Sequence, residues 1–230
     1  MKQAVIMCGG IGSRLKKKYP KVLLKINKKT ILEHQLDLCK QYGFQEFLLL
    51  TGYKSGMIKK FIKKKNILEP IKIIKDKKKL GTGGALLSAF KHLDKEFFLI
   101  YGDIFTNMNL KKMYTFFKKK KAESCLVINR NNNYQDSNLL SISKDRKINK
   151  FYFYPHAKIP KNSYSNEAIF MFKKNFFKNL NTIKLIKKPD LVKDVLPAIK
   201  LQKKIYAFKT NELIIDCGTS DRLQSARLKL

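Results

Sequence analysis

The chain has 230 residues, with 50 Lys or Arg against 17 Asp or Glu and a formal net charge of +33. Hydrophobic residues make up 44%, enough to bury a core, so wholesale disorder is excluded. No apolar run approaches the ~18 residues of a spanning helix, and the length fits one domain. The opening apolar run, residues 3–8, is too short for a signal peptide and reads as a buried strand ending in a glycine cluster. Residues 30–42 have helical spacing, with Thr30 as N-cap and Gly43 as stop. A second strand follows at 45–51, a helix at 55–65, a third strand at 71–75, a helix at 83–92 and a fourth strand at 96–101. This alternation predicts an α/β domain with a mostly parallel sheet. Strand-like runs at 124–129, 139–143, 150–154 and 168–172, separated by Asn-, Ser- and Pro-containing turns, predict an added antiparallel part. A helix at 189–200, a strand at 205–209 and a helix at 220–228 complete the chain. Four cysteines (Cys8, Cys39, Cys125, Cys217) lie far apart without a CxxC pair. That argues against a zinc site or a disulfide framework and fits a reducing cytoplasm.

The charge invites a nucleic-acid reading. Of the 50 basic residues, however, 45 are Lys and only 5 are Arg, and Asn and Ile are abundant too, as A/T-rich codons would produce. The lysines are also spread along the chain, whereas a nucleic-acid face favours Arg forks and interleaved aromatics. Solvated lysine faces are the better reading, with a field that draws in small anionic substrates.

The strand at 3–8 runs through Cys8 into Gly9-Gly10-Ile11-Gly12-Ser13-Arg14-Leu15. Glycines let backbone N–H groups cradle a phosphate. No GK[ST] follows, so this is not a Walker loop, and Leu15 stands where a dinucleotide fingerprint needs its third glycine. Arg14 and the later Pro20-Lys21 place a forked and a point cation beside the cradle, suited to a triphosphate and its leaving pyrophosphate. Two carboxylates, Asp103 and Asp216, each end an apolar strand next to a glycine. A pair at strand ends suits one Mg²⁺ that keeps waters and bridges phosphate oxygens, although each also suits turn capping. His34, His92 and His156 match no metal spacing and read as structural or exposed.

The motifs together resemble the sugar-1-phosphate nucleotidyltransferase family. Gly9-Gly10-x-Gly12-Ser13-Arg14-Leu15, Pro20-Lys21-Val22-Leu23 and Thr30-Ile31-Leu32-Glu33 are similar to the family's opening. Leu80-Gly81-Thr82-Gly83-Gly84 resembles its base-binding loop, Tyr101-Gly102-Asp103 its Gly-Asp metal motif, and Asn166-Glu167-Ala168-Ile169-Phe170 its sugar-binding Asn-x-Gly-Ile-Tyr motif. Lys193-Asp194-Val195-Leu196-Pro197 and Ile215-Asp216-Cys217-Gly218-Thr219 resemble its closing motifs. The resemblance implies a Rossmann-like, GT-A-type sheet flanked by helices, with a nucleotide-binding part over about 1–121 and a sugar-binding part over about 122–230. It implies Mg²⁺ on Asp103 and Asp216, Arg14 on the β/γ-phosphates and Lys21 on the α-phosphate. Cys8, Gly9, Gly10, Gly12, Ser13, Asp76, Gly81 and Thr82 would meet the nucleotide, and Gly102, Asn166 and Glu167 the sugar. The partners implied are a nucleoside triphosphate and a sugar 1-phosphate, with no nucleic acid and no membrane, and room is left for a homo-oligomer.

Asp76 stands where the family's uridylyltransferases carry Gln. A carboxylate suits guanine, whose N1–H and N2–H₂ donors lie side by side. The whole chain is most similar to short guanylyltransferases acting on heptose or mannose 1-phosphates. Two departures concern the sugar side. The family's Phe-x-Glu-Lys-Pro stretch reads Phe151-Tyr152-Phe153-Tyr154-Pro155, without either charge, and Glu167-Ala168 follows Asn166 where a glycine is usual. Uridylyl, cytidylyl or thymidylyl transfer to another sugar phosphate or to phosphocholine, a non-catalytic nucleotide-sugar sensor, and a basic nucleic-acid-binding protein are the alternatives.

Overall fold

The computed structural model describes residues 2–10, 19–76, 78–130, 134–178, 180, 183, 186–200 and 203–229. Strand β1 (Gln3–Met7) is central and parallel to both neighbours. The hairpin β2 (Lys25–Ile26) and β3 (Lys29–Thr30) follows, then helix α1 (Ile31–Gln41). β4 (Glu46–Thr51), helix α2 (Ser55–Lys64) and β5 (Ile71–Lys75) extend the sheet on one side of β1. The chain then crosses back through α3 (Gly81–Ser88) to β6 (Glu96–Tyr101) on the other side of β1. The strand order β5-β4-β1-β6 therefore reverses at β1, and ligands of open α/β sheets gather at the carboxyl ends beside such a switch point.

A short strand, β7 (Ile104–Thr106), and helix α4 (Leu110–Lys119) come next, then β8 (Ser124–Asn129), β9 (Leu139–Ile142), β10 (Ile148–Tyr152) and β11 (Tyr164–Lys173). β11 runs antiparallel between β6 and β8, and β12 (Ile205–Lys209) joins β8 in parallel. The β9–β10 hairpin attaches at Tyr164 and Ser165. The result is the mixed sheet expected from the sequence, with nine strands drawn from both halves of the chain. β13 (Ile214–Asp216) pairs antiparallel with β7, and the last helix, Ser220–Leu228, follows it.

Alternation along β1 builds the layers. Ala4 and Ile6 join the buried cluster of α1, α2 and α4, while Val5 joins that of α3, Phe176, Phe177, Leu191 and Val195. α1 starts with a reciprocal cap: Glu33 N donates to the Thr30 hydroxyl at 3.2 Å, and Thr30 N donates to the Glu33 carboxylate at 2.7 Å. It stops at Gly43, whose φ is +79°.

Helix α4 went unread in the sequence because its lysines dominate the run. Its signals are nevertheless present: Asn109 accepts from Lys112 N at 3.0 Å, and Leu110, Met113 and Phe117 form a buried stripe. Two predicted boundaries shift for one reason. α3 begins at Gly81 rather than 83, and the predicted 189–200 helix begins at Leu191 with a π-helical turn, Leu191–Val195, that leads into a short helix, Leu196–Ile199. The Pro189 carbonyl lies between them and accepts from Gly83 N and Gly84 N at 2.9 and 3.3 Å, so one peptide caps one helix and precedes the other. β11 begins at 164 instead of 168, because a bulge between Asn166 and Phe170 breaks its apolar alternation.

Gly81 sits at this junction with φ +74°, and a Cβ there would lie 2.6 Å from the Pro189 oxygen. Gly81→Ala is expected to destabilise the fold by about 2 kcal/mol or more in urea denaturation. Gly10→Ala, where a Cβ meets nothing within 4 Å among the described residues, is expected to change stability by less than about 0.5 kcal/mol.

Candidate active site

Asp103 occupies the turn between β6 and β7, and its placement is over-determined. Gly102 N donates to the Met7 carbonyl at 3.0 Å, drawing the end of β6 against β1. A Cβ at 102 would lie 2.8 Å from that same oxygen, so the fold itself demands this glycine. The buried Gln35 amide of α1 donates to the carbonyls of Tyr101 and Ile104, at 2.8 and 2.7 Å, and so clamps both sides of the turn. Gln35 was not singled out in the sequence, since nothing local distinguishes it from a surface helix residue.

β13 brings Asp216 alongside. Asp216 pairs with Ile104, and Cys217 N donates to the Asp103 carbonyl at 2.7 Å, which makes the two carboxylates neighbours across a strand pair. Burial, and then the negative charge of Asp103, raise the Asp216 carboxyl above its ordinary range. Both Asp216 oxygens hold donors: Gly218 N at 2.7 Å on one, Arg222 Nη1 at 3.0 Å on the other. The other Arg222 nitrogen pairs with Asp136, so one guanidinium joins two acidic side chains. Arg222, too, carried no sequence signal, because its partners are 6 and 86 residues away.

Lys21 arrives from a different element. A 3-10 turn, Lys21–Leu23, follows Pro20 and buries Val22. The Lys21 ammonium lies 2.6 Å from Asp103 Oδ2. Lys21, Asp103 and Asp216, about 200 residues apart in sequence, thus converge at the carboxyl end of the sheet. Among the described residues no cluster of three or more His, Cys, Asp or Glu could hold a metal. Two hard oxygen donors with a mutually unfavourable charge suit an ion that keeps most of its waters, as Mg²⁺ does.

A cleft of about 630 Å³ opens beside this centre, lined by the ends of β1, β4 and β5 and by the start of α3. Gly9 and Gly10 form part of its wall. Neither has a positive φ, and a Cβ on either meets nothing closer than 3.7 Å, so packing among the described residues does not require glycine there. Cys8 turns its thiol into the core, 3.5 Å from the Ile6 carbonyl, and burial pushes that thiol's pKa up. Asp76 lines the cleft too; burial raises its carboxyl and a hydrogen bond from Ser88 at 3.4 Å works the other way. Lys75, Lys78, Lys79 and Lys188 line the same cleft.

The Thr82 hydroxyl is committed to the fold: it donates to Asp190 at 2.9 Å and accepts from Leu191 N at 2.8 Å. The hydroxyl thus has both its donor and an acceptor position engaged within the fold. Asn166 and Glu167 lie with Asp216, Arg222 and Ala168 around a second cavity of about 270 Å³. Gly12, Ser13 and Arg14 fall outside the described residues. His34 bonds the Ile26 carbonyl, His92 faces Lys72, and His156 bonds the Ser137 carbonyl. The four cysteines are free and buried, and no helix among the described residues is long and apolar enough to cross a membrane.

Residues 3–230 match the family described as nucleotidyl transferase. The chain belongs to this family. It is 30% identical to the D-glycero-alpha-D-manno-heptose 1-phosphate guanylyltransferase of Campylobacter jejuni over 178 residues, covering 76% of this chain and 77% of that one. It is 27% identical to the enzyme of the same description from Aneurinibacillus thermoaerophilus over 99% of this chain and 98% of that one. The fold matches that of HddC from Yersinia pseudotuberculosis complexed with GMP-PN, with a TM-score of 0.83 at 23% identity over 100% of this chain and 99% of that one.

Within the sugar-side motif, Ala168 takes the left-handed conformation, φ +54°. This explains the departure at Asn166-Glu167-Ala168: the backbone there has the shape a glycine favours, and an alanine is held in it. The left-handed region costs an L-residue roughly 1–2 kcal/mol, partly offset by the extra unfolded-state freedom of glycine. Ala168→Gly is therefore expected to stabilise the protein by about 0.5–1 kcal/mol, read as a higher urea midpoint with an unchanged m-value.

Proposed function

We propose that this chain, acting as one nucleotidyltransferase unit in the cytoplasm, transfers GMP from GTP to the 1-phosphate of a heptose or mannose, forming a GDP-sugar and pyrophosphate. The observation that carries the reading is the convergence of Lys21, Asp103 and Asp216 at the end of the sheet that also carries a cleft lined by Gly9, Gly10 and Asp76. The guanylyltransferases named above support the same nucleotide and the same sugar class.

The sugar phosphate is already ionised, so no protein nucleophile is required, and catalysis consists of alignment and charge neutralisation. Gly9 and Gly10 let the triphosphate lie against the backbone. Lys21 binds the α-phosphate and the charge that develops on it, and Arg14 takes the β/γ-phosphates. Asp103 and Asp216 hold Mg²⁺, which, when bound, supplies Lewis-acid neutralisation of phosphate oxygens. Asp76 accepts from guanine N1–H and N2–H₂, and the backbone N–H groups of Gly81 and Thr82 face O6. Two of the four first-turn N–H groups of α3 already serve Pro189, which leaves these two for a ligand. Asn166 and Glu167 take the sugar beside Asp216.

Pyrophosphate release with Mg²⁺ tests the reading, with GTP, CTP, UTP, dTTP and ATP each offered against a panel of sugar 1-phosphates. GTP with a heptose or mannose 1-phosphate is expected to turn over, and Asp103→Ala is expected to abolish release. Turnover with another triphosphate would keep the reaction and discard the guanine assignment. Asp76→Asn is expected to lower kcat/KM for GTP by about 10- to 100-fold, the worth of a hydrogen bond to a charged group, while leaving the KM for the sugar phosphate close to wild type. Because Asp76 can accept from both guanine donors only when ionised, and its carboxyl is shifted above the ordinary range, the KM for GTP is expected to rise on acidification at a higher pH than an exposed aspartate would cause.

A further inference from the structure

The Lys21–Asp103 pair raises a conflict. Lys21 Nζ stands 2.6 Å from Asp103 Oδ2, and the two side chains are only 14% and 22% exposed. A charge-assisted bond so far withdrawn from water is strong, and an ammonium on that oxygen opposes a divalent cation both by position and by charge. Neither partner can drift away cheaply. The Lys21 backbone belongs to the turn that buries Val22, and Val22 packs where a Cβ on Gly102 would meet it at 3.4 Å. Asp103 is pinned through Gly102, Gln35 and Cys217. On the neighbouring carboxylate, Arg222 and Gly218 N hold both oxygens of Asp216. Three of the four carboxylate oxygens of the centre thus carry a donor from the protein itself.

We propose that Lys21 is a latch on the metal centre: its ammonium occupies Asp103 in the nucleotide-free protein, and a divalent ion gains that carboxylate only when a nucleotide phosphate draws the ammonium away. The inference rests on the reading of Asp103 and Asp216 as metal ligands. It assigns Lys21 a second task, distinct from stabilising charge on the phosphate. The metal and the nucleotide then load together, and the free enzyme does not sequester the ion on its own. The phosphate supplies the anion that replaces Asp103 as the partner of Lys21, and the ion supplies the cation that replaces Lys21 as the partner of Asp103.

Calorimetric titration of Mn²⁺ into nucleotide-free protein tests the latch without any turnover. Lys21→Gln, with Lys21→Met as a second variant, is expected to bind Mn²⁺ about tenfold or more tightly than wild type, the worth of one charge-assisted hydrogen bond. Lys21→Arg keeps a cation and is expected to stay weak. Lys229→Gln removes a charge beside the adjoining cavity without touching Asp103, and is expected to shift the affinity by less than about threefold, as a screened exposed charge does. Circular dichroism establishes that each variant is folded. The latch is overturned if neither Lys21→Gln nor Lys21→Met binds Mn²⁺ more tightly than wild type, or if Lys229→Gln does so equally. A parallel titration with a non-hydrolysable GTP analogue separates the two ideas. Mn²⁺ binding with the analogue, but with no gain from the Lys21 variants, removes the latch and leaves the metal reading standing. Mn²⁺ binding by no protein, with or without the analogue, removes both.

Discussion

Two carboxylates held side by side at the end of a buried sheet repel one another, and the organisation around Asp103 and Asp216 answers that repulsion. The fold cannot relax it by letting either side chain leave. Asp103 is fixed by Gly102 against Met7, by the Gln35 amide and by Cys217 N, and Asp216 is carried on the strand that pairs with β7. The charge is instead met by cations from distant parts of the chain, Lys21 on one carboxylate and Arg222 on the other. Removing one cation leaves a partly buried charge uncompensated, which costs more than the pair contributes. The arrangement is therefore stable with cations present and poised to exchange one cation for another.

The glycines divide by what requires them. At Gly81, Gly83 and Gly102 a Cβ would strike carbonyl oxygens or side chains at 2.6–3.0 Å, so packing alone explains the residue. Gly9 and Gly10 have room for a side chain and face a cleft. The family's motifs thus mix two kinds of constraint. The base-loop and Gly-Asp glycines hold the scaffold, and the first two glycines are not demanded by packing among the described residues. Thr82 serves both: its hydroxyl ties α3 to the Asp190 segment, and the residue lines the cleft.

The strand–helix alternation and the Thr30 N-cap were legible in the sequence because each is set by residues close together in the chain, whereas the pairing of Asp103 with Asp216, 113 residues apart, was expected only from the resemblance to the family. What was not legible depends on distant partners. Gln35 resembles any polar helix residue until the turn of Asp103 arrives beneath it, and Arg222 acquires its meaning only when Asp136 and Asp216 meet around it. Helix α4 was hidden for a different reason: a lysine-rich composition blurs the contrast between a solvated face and a loop, although its buried stripe keeps helical spacing. At Ala168 the residue type argues for ordinary backbone, and the bulge imposes the left-handed region regardless.

Composition also bears on specificity. A chain of net charge +33 attracts every nucleoside triphosphate, so attraction alone selects none of them. The lysines lining the cleft strengthen that general pull and act on phosphates that all five bases share. Discrimination has to come from a group whose chemistry differs from its surroundings. In the function proposed above Asp76 is that group: an acidic side chain among lysines, partly desolvated, with only a long hydrogen bond from Ser88 among the described side chains. A base that offers two adjacent donors compensates its desolvation, and a base that offers an acceptor there leaves a carboxylate facing a lone pair. Selection by that mismatch is worth more than any further lysine, because it penalises the wrong base instead of attracting every nucleotide more strongly.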